Sequence, residues 1–202
     1  MSALVIHDQP LPYVHALAER PASSIDLVVI HCTELPDLAT ARRYGEKILY
    51  GDGTGNSGHF YIDRDGAVYR YVPVTRIANQ VRGYNTHSIG IELINLGRYP
   101  DWLDSRHQAM TQPYSAAQIA ALRALLSQLR QAYPSIHLIA GHEDLDTARV
   151  PASDDPNVLV PRKRDPGPLF PWREVLAGSG LQRFVPSSAQ AAGTPAPPAA
   201  PL

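Results

Sequence analysis

Short apolar runs alternate along the chain with stretches whose apolar residues recur at helical spacing. Residues 27–32 form a continuous, largely β-branched run (LVVIHC), which is typical of a strand buried on both faces. Asp65 and Gly66 lie between two segments of alternating polarity, and an Asp-Gly pair in that setting predicts a β-hairpin. The strands predicted in this way cover residues 27–32, 59–63, 67–71, 88–94 and 137–140.

Helical periodicity is clearest after Ser115, which is spaced as a capping box with Gln118. The helix that begins there extends through Ala132 and carries one apolar stripe expected to face the core: Ile119, Leu122, Leu126 and Leu129. Two further helices are predicted over residues 37–50 and 171–177. This order of elements predicts a mixed α/β single domain with one central mixed sheet flanked by helices.

Proline-rich segments bound this domain at both ends. Residues 1–25 are broken by three prolines and are expected to form an N-terminal arm. The folded domain is predicted over residues 26–184. Residues 185–202 are rich in Pro and Ala, and we expect a disordered tail because they bury too little apolar surface to offset their ordering entropy.

The charge balance and the cysteine count exclude several classes of protein. The chain has 202 residues, with 18 Lys and Arg against 19 Asp and Glu, which argues against a nucleic-acid partner held by phosphate contacts. One cysteine allows no internal disulfide and fits a reducing compartment. The apolar run at residues 3–6 is shorter than a signal h-region, and no run reaches the roughly 18 residues of a membrane span. The expected location is the cytoplasm.

Two histidines lie at the ends of predicted strands. His31 belongs to the buried run at residues 27–32, and His142 follows the strand at 137–140 after one glycine. A buried imidazole needs a hydrogen-bond or metal partner, and strand ends are where α/β sheets gather ligands. The alternative for either residue is a core histidine whose nitrogens are satisfied by hydrogen bonds.

An aspartate and a lysine share one face of a second segment. Pro166 disfavours helical geometry at Asp165, and in an extended segment Lys163 points to the same side as Asp165. A carboxylate can then bind a metal while the ammonium stabilises negative charge that develops nearby. The alternative is a basic loop that turns at Pro166 and Gly167.

Glu92 lies within the predicted strand at 88–94. Its side chain shares a face with Ser88 and Gly90, whereas the apolar residues between them point to the other face. This pattern favours a carboxylate that faces a cavity, with an exposed, ion-paired glutamate as the alternative. Two histidines and one carboxylate that leave a water position open are a ligand set for catalytic zinc, so the residues suggest a zinc hydrolase.

Five motifs follow one another in a specific order: IHCT at 30–33, HFYIDRDG at 59–66, SIGIEL at 88–93, GHED at 141–144 and RKRDPG at 162–167. In this series the chain resembles the amidase-2 family of zinc-dependent N-acetylmuramoyl-L-alanine amidases. That family includes AmpD-type enzymes, phage lysozyme-type amidases and peptidoglycan recognition proteins. The resemblance spans about residues 26–177, most of the predicted domain.

The resemblance implies a central mixed sheet with one zinc ion bound at one edge. The ligands it implies are His31, His142 and Asp165, while Glu92 activates the water and Lys163 lies near the scissile carbonyl. The implied reaction is hydrolysis of the amide between the lactyl group of N-acetylmuramic acid and L-alanine. The implied substrates are the 1,6-anhydro-muropeptides of cell-wall recycling, with intact peptidoglycan left open.

The chain departs from the family pattern before the strand that carries Glu92. Many members have a histidine where this chain has Gln80, which can hydrogen-bond a sugar or peptide but cannot titrate near neutral pH. Asn85 lies in the same region, where the family's substrate contacts gather. Gln80 and Asn85 are therefore predicted to bind the substrate.

Two longer segments distinguish the chain further. Residues 143–161 make the interval between the last two implied ligands longer than in AmpD-type enzymes, and they carry Asp154 and Asp155 as rival ligands or as parts of a surface insertion. Tyr99 and Trp102 lie in another long segment and either stack on sugar faces or pack their loop down.

The alternative function is that of a binding module instead of an enzyme. Some peptidoglycan recognition proteins keep the fold, lack zinc and only bind their ligand. The complete set of two histidines, aspartate, glutamate and lysine argues against that alternative, because a binding module has no need of an open metal position.

Overall fold

Seven strands form one mixed sheet, and a separate two-stranded hairpin and four α-helices surround it. The computed structural model describes residues 4–186. Within them the strands are β1 (Ile6–Asp8), β2 (Leu27–Cys32), β3 (Phe60–Ile62), β4 (Val68–Arg70), β5 (Ser88–Leu93), β6 (Leu138–Gly141), β7 (Arg149–Pro151), β8 (Leu159–Pro161) and β9 (Gln182–Arg183). The helices are α1 (Leu38–Gly45), α2 (Ala116–Ala132), α3 (His142–Leu145) and α4 (Trp172–Leu176).

The strand order in the main sheet is β1-β4-β3-β5-β2-β6-β9, while β7 and β8 form the separate hairpin. Neighbours in the main sheet run parallel except β3 and β4, which are antiparallel. The turn between β3 and β4 contains Asp65 and Gly66, where the Gly66 N–H donates to the Asp63 carbonyl over 2.9 Å. The mixed sheet and the hairpin predicted at Asp-Gly are both confirmed.

Helix α2 packs its apolar stripe on one face of the sheet. Ser115 accepts from the Gln118 N–H, and the Gln118 side chain accepts from the Ser115 N–H, so both halves of the predicted capping box are present. The four residues of the predicted stripe are all buried, in one cluster with strand residues of β2, β5 and β6. The helix and its stripe are confirmed.

Helix α1 is shorter than the predicted helix over residues 37–50. Asp37 caps it by accepting from the Thr40 N–H over 2.6 Å, and it ends at Gly45. The chain then turns, because the Leu49 and Tyr50 N–H groups both donate to the Thr54 carbonyl. The prediction was wrong over residues 46–50 because this turn supplies backbone partners that compete with the helical ones.

The segment before β2 lies against the sheet. Strand β1 pairs with β4 at the sheet edge, and the Arg20 N–H donates to the Thr75 carbonyl over 2.8 Å. Leu11, Tyr13 and Leu17 are buried beside α1. Of the predicted tail at residues 185–202, residues 187–202 lie outside the described part of the chain. Within residues 4–186 no helix has the length and apolar character needed to cross a membrane.

The two faces of the central strands differ in what covers them. On β2, Val28 and Ile30 pack in the large cluster with α2. Leu27 and Val29 point the other way and pack in a much smaller cluster. His31 follows Val29 on this second face by strand alternation. The thin cover on this face leaves space for a site at the carboxyl ends of β2, β5 and β6.

Candidate active site

His31 and His142 are brought together by the pairing of β2 with β6. The two strands run parallel with Ile30 opposite Gly141, so each histidine comes one residue later at the carboxyl end of its strand. Their Nδ1 atoms are 3.0 Å apart, and the ring planes meet at 73°. The sheet register therefore converts two histidines that are 111 residues apart into neighbours.

Asp165 completes this group from the loop after β8. Its Oδ2 lies 2.9 Å from His31 Nδ1 and 3.1 Å from His142 Nδ1. The Glu143 N–H donates to the Asp165 carbonyl over 2.9 Å, which ties the loop to α3. Gly141 is required beside it, because a Cβ there would lie 2.7 Å from Pro166 Cδ and push the loop away.

The three side chains form a cluster that fits a divalent cation. Their ligand atoms are 2.9–3.1 Å apart, close to the roughly 3.3 Å expected for tetrahedral zinc with bonds of about 2.0–2.1 Å. His31, His142 and Asp165 are at most 4% exposed. Within residues 4–186 no fourth His, Cys, Asp or Glu joins the group. The donor set is thus that of a three-ligand metal site.

The electrostatics of the cluster also favour a cation. Burial opposes the charged form of Asp165, but His142 and His31 outweigh it and hold the pKa of that carboxyl well below its usual range. Burial lowers the pKa of His142 to about 4, against the opposing effect of Asp165. Burial also disfavours the charged form of His31, yet Glu92 and Asp165 raise the pKa of that ring. The cluster combines an ionised carboxylate with two imidazoles, and the surrounding carboxylates favour positive charge at this place.

Glu92 lies beside this cluster because β5 pairs with β2. It is the register partner of His31, and its Oε1 is 3.9 Å from His31 Nδ1. Burial raises the pKa of Glu92 above its ordinary value, although His31 and Lys163 act in the opposite direction. Glu92 therefore combines proximity to the cluster with an environment that makes its carboxylate more basic.

Lys163 comes two residues before Asp165 and lines a cavity of about 460 Å³. The positive charge of Lys163 acts on both Glu92 and His142, which shows that it faces the same region. The other residues of the wall are mostly charged: Glu143, Asp144, Asp146, Thr147, Arg149, Pro161, Arg164 and Pro168. His31, His142, Asp165 and Glu92 do not line this cavity, but two residues of its wall, Glu143 and Arg164, are chain neighbours of His142 and Asp165.

Gln80 and Asn85, predicted as substrate contacts, make hydrogen bonds within the protein. Gln80 Oε1 lies 2.6 Å from His31 Nε2. Asn85 Oδ1 accepts from the N–H groups of Gln80 and Val81 over 3.1 and 2.8 Å. Both residues lie at the site, but these groups face the protein's own atoms.

The rival residues lie elsewhere. Asp154 accepts from the N–H and hydroxyl of Ser105, and Asp155 accepts from Asn157, so neither belongs to the cluster. Tyr99 and Trp102 pack edge to face at 5.7 Å. These contacts favour the packing alternative for the two aromatic rings and the surface alternative for the two aspartates.

A buried ion pair next to the site carried no sequence signal. Glu34 accepts from Arg98 Nε and Nη2 over 2.7 and 2.8 Å, and Arg98 is 1% exposed. Arg98 Nη1 also donates to the Pro161 carbonyl over 3.0 Å, which joins the loop after β5 to the segment that leads to Lys163. The partners are 64 residues apart, so no local pattern could have paired them.

Comparison with known proteins agrees with this geometry. The family described as N-acetylmuramoyl-L-alanine amidase (Amidase_2) matches residues 21–168. Among solved structures, the amidase AmiD from E. coli, in complex with anhydro-N-acetylmuramic acid-L-Ala-D-γ-Glu-L-Lys, is 26% identical. The match covers 81% of this chain and 60% of AmiD, with a TM-score of 0.57.

Two further similarities come from endolysins. An N-acetylmuramoyl-L-alanine amidase endolysin from Clostridium intestinale URNW shares the fold, with a TM-score of 0.58 and 19% sequence identity. The match covers 90% of this chain and 99% of the endolysin chain. The endolysin of Klebsiella phage KP32 is 32% identical over 85 residues, which are 42% of this chain. The chain spans about half the length of the curated relatives it matches, 52% for this one.

Proposed function

The chain belongs to the Amidase_2 family of N-acetylmuramoyl-L-alanine amidases, and from this membership we propose that it hydrolyses the amide between N-acetylmuramic acid and L-alanine. The observation that carries the proposal is the cluster of His31, His142 and Asp165 beside Glu92. Three convergent ligand atoms with a separate carboxylate nearby are the set of groups that a zinc amide hydrolase needs.

His31, His142 and Asp165 would hold one zinc ion. The chemistry that zinc supplies in such a site is Lewis acidity, which polarises a carbonyl and makes water more acidic. Glu92 is the proposed general base, because its carboxylate lies 3.9 Å from His31 and is made more basic by burial. It takes a proton from the attacking water as the carbon–oxygen bond forms. It returns that proton to the alanine nitrogen as the carbon–nitrogen bond breaks.

Lys163 supplies positive charge on the substrate side of the site. Its positive charge acts on Glu92 and His142, so its ammonium is the proposed partner of the carbonyl oxygen on which negative charge develops during attack. A cation held beside that oxygen stabilises the tetrahedral state more than the substrate, which accelerates the reaction.

The proposed substrates are 1,6-anhydro-muropeptides, as in cell-wall recycling. Support comes from AmiD, whose structure contains an anhydro-N-acetylmuramic acid peptide and to which this chain is 26% identical. Intact peptidoglycan is the second substrate to assay, because endolysins are also among the relatives. A cytoplasmic setting accompanies the recycling role and stays a prediction.

The test is release of free peptide from an anhydro-muropeptide and from purified peptidoglycan, followed by mass spectrometry. We expect hydrolysis that a chelator abolishes and zinc restores. We expect Glu92→Ala and Glu92→Gln to keep bound zinc and to lose at least about a hundredfold in rate, a typical loss for a general base. Glu174→Gln, at an exposed glutamate of α4, is the matched control and should keep the wild-type rate.

Each part of the proposal can fail separately. Unchanged turnover in the Glu92 variants removes Glu92 from the mechanism. Zinc-free protein that binds muropeptides without cutting them supports a binding module instead. Zinc-bound protein that cuts neither substrate points to a different acyl-amide.

A further inference from the structure

The two nitrogens of the His31 ring have different surroundings. Nδ1 faces His142 and Asp165, whereas Nε2 lies 2.6 Å from Gln80 Oε1 on the other side of the ring. A carbonyl oxygen only accepts hydrogen bonds, so this contact requires that Nε2 carry the ring hydrogen. In the neutral ring Nδ1 is then the nitrogen with a free lone pair, which is the form that binds a metal.

The orientation of the Gln80 amide is itself set by a chain of hydrogen bonds. The Ser88 hydroxyl donates to the Tyr84 carbonyl over 2.7 Å, which uses the only hydrogen of that hydroxyl. The Ser88 oxygen is thereby left to accept from Gln80 Nε2, at 2.7 Å. Because the amide nitrogen points to Ser88, the amide oxygen must point to His31. A backbone carbonyl thus sets the direction of every hydrogen bond up to the imidazole.

The fold also makes room for this chain. Gly90 lies on the same face of β5 as Ser88 and Glu92, and a Cβ there would lie 2.5 Å from Gln80 Oε1. Asn85 holds the backbone of Gln80 through the Gln80 N–H. Alternate residues of one strand therefore hold the glutamine, leave space for it and supply the neighbouring carboxylate.

His142 differs from His31 in this respect. Its Nε2 is buried, and among residues 4–186 no group hydrogen-bonds to it. The two histidines of the cluster are therefore not equivalent, since only the His31 ring is held from its far side by a polar side chain. Such outer contacts orient metal-bound imidazoles and raise their basicity.

We propose that Gln80 is a positioning residue that holds the His31 ring in the orientation and tautomer that bind the metal. The inference rests on the proposed zinc site and adds to it the residue that prepares one ligand. It assigns Gln80 a role through His31, where the sequence predicted a contact to sugar or peptide.

The experiment is a competition titration of zinc against a chromophoric chelator at one fixed pH, which needs no substrate. Gln80→Leu removes the amide at similar size, and we expect zinc binding to weaken about 10- to 100-fold, as for other contacts of this kind. Gln80→Glu keeps an oxygen acceptor for Nε2 and should stay close to wild type. Gln128→Leu makes the same change on the exposed face of α2 and is the matched control.

The outcomes are separable. Zinc affinity of folded Gln80→Leu within twofold of wild type, or equal losses in Gln80→Leu and Gln80→Glu, overturns the inference. If Gln80→Leu does not fold, Ser88→Ala decides, because it frees the amide to turn over: weakening of at least about threefold supports the inference and unchanged affinity overturns it. Wild-type protein that binds no zinc contradicts the proposed function instead.

Discussion

Two buried groups of charged or ionisable side chains begin just three residues apart in the chain, yet only one of them contains a basic partner for its carboxylate. His31 belongs to the cluster with His142 and Asp165, and Glu34 belongs to the ion pair with Arg98. In the ion pair, the carboxylate of Glu34 accepts three hydrogen bonds from Arg98, two from the guanidinium and one from the backbone N–H. In the cluster, three potential ligand atoms converge, and no Lys or Arg of residues 4–186 forms an ion pair with Asp165.

The difference shows which property marks a binding site. Both groups are buried and both involve a carboxylate, so burial of charge does not distinguish them. The ion pair is complete because the donors of Arg98 match the acceptors of Glu34, and its role is to hold the fold together. The cluster has no such basic partner for Asp165, and a bound cation would balance its carboxylate. The predictions that follow test this distinction, beginning with the largest effect.

The largest effect is expected on removing an acceptor from the cluster. Asp165→Ala should weaken zinc binding by more than about a hundredfold, since contacts outside the ligand set already cost 10- to 100-fold. It should also abolish the rise in melting temperature that zinc gives to the wild-type protein. Titration calorimetry and thermal unfolding with and without zinc measure both quantities.

Asp154→Ala, at the exposed rival aspartate, is the control and should bind zinc as wild type does. An Asp165→Ala protein that binds zinc with wild-type affinity would show that the cluster is not the metal site.

A second effect is expected on opening the ion pair. Arg98→Met leaves the buried Glu34 carboxylate without its partner and should lower the free energy of unfolding by about 3–5 kcal/mol. The double variant Glu34→Leu/Arg98→Met removes both charges and should recover part of that loss. Urea unfolding monitored by circular dichroism gives the values.

Arg70→Met, in the exposed pair with Asp8, is the matched control and should cost about 0–1 kcal/mol. If Arg98→Met costs no more than this control, the buried pair contributes nothing beyond a surface contact.

A pH-dependent effect, smaller per pH unit than the loss from opening the ion pair, is expected from a third buried group, His59. Burial, together with the neighbouring Arg20, lowers the pKa of His59 to about 3. The unfolded chain takes up a proton below about pH 6.5, whereas the folded ring stays neutral down to about 3. The free energy of unfolding should therefore fall by up to about 1.4 kcal/mol per pH unit as the pH drops through this window.

His59→Asn keeps an acceptor near Nδ1 for the Gly90 N–H and should unfold with a shallower pH dependence over that window. His15→Gln, at an exposed histidine, is the control and should keep the wild-type steepness. Equal steepness for His59→Asn and wild type would show that the His59 ring takes up no proton on unfolding.

The elements whose signals are local could be predicted from the sequence. Three such elements depend on residues that are only a few positions apart in the chain: the capping box at Ser115, the stripe along α2 and the hairpin at Asp65-Gly66. The predicted length of helix α1 was too great. The turn that follows the helix depends on the Thr54 carbonyl, which lies outside the segment whose periodicity was read as helical.

The sequence also identified the candidate ligands, but it did not show that they lie close together. Strand ends and the order of five motifs indicated His31, His142 and Asp165. Their convergence depends on β2 lying beside β6 and on the loop after β8 returning to α3, which are facts of topology. The pairing of His31 with Glu92 likewise follows from register between two strands.

By itself, therefore, the sequence determined the identity of the elements, the family and the chemical types of the site residues, because short-range periodicity and motif order record these directly. The tertiary structure alone decided which groups are partners. Gln80 and His31 are 49 residues apart, and Glu34 and Arg98 are 64 apart. A hydrogen bond depends on distance and direction between two atoms, and for residues so distant in the chain only the packed fold sets these.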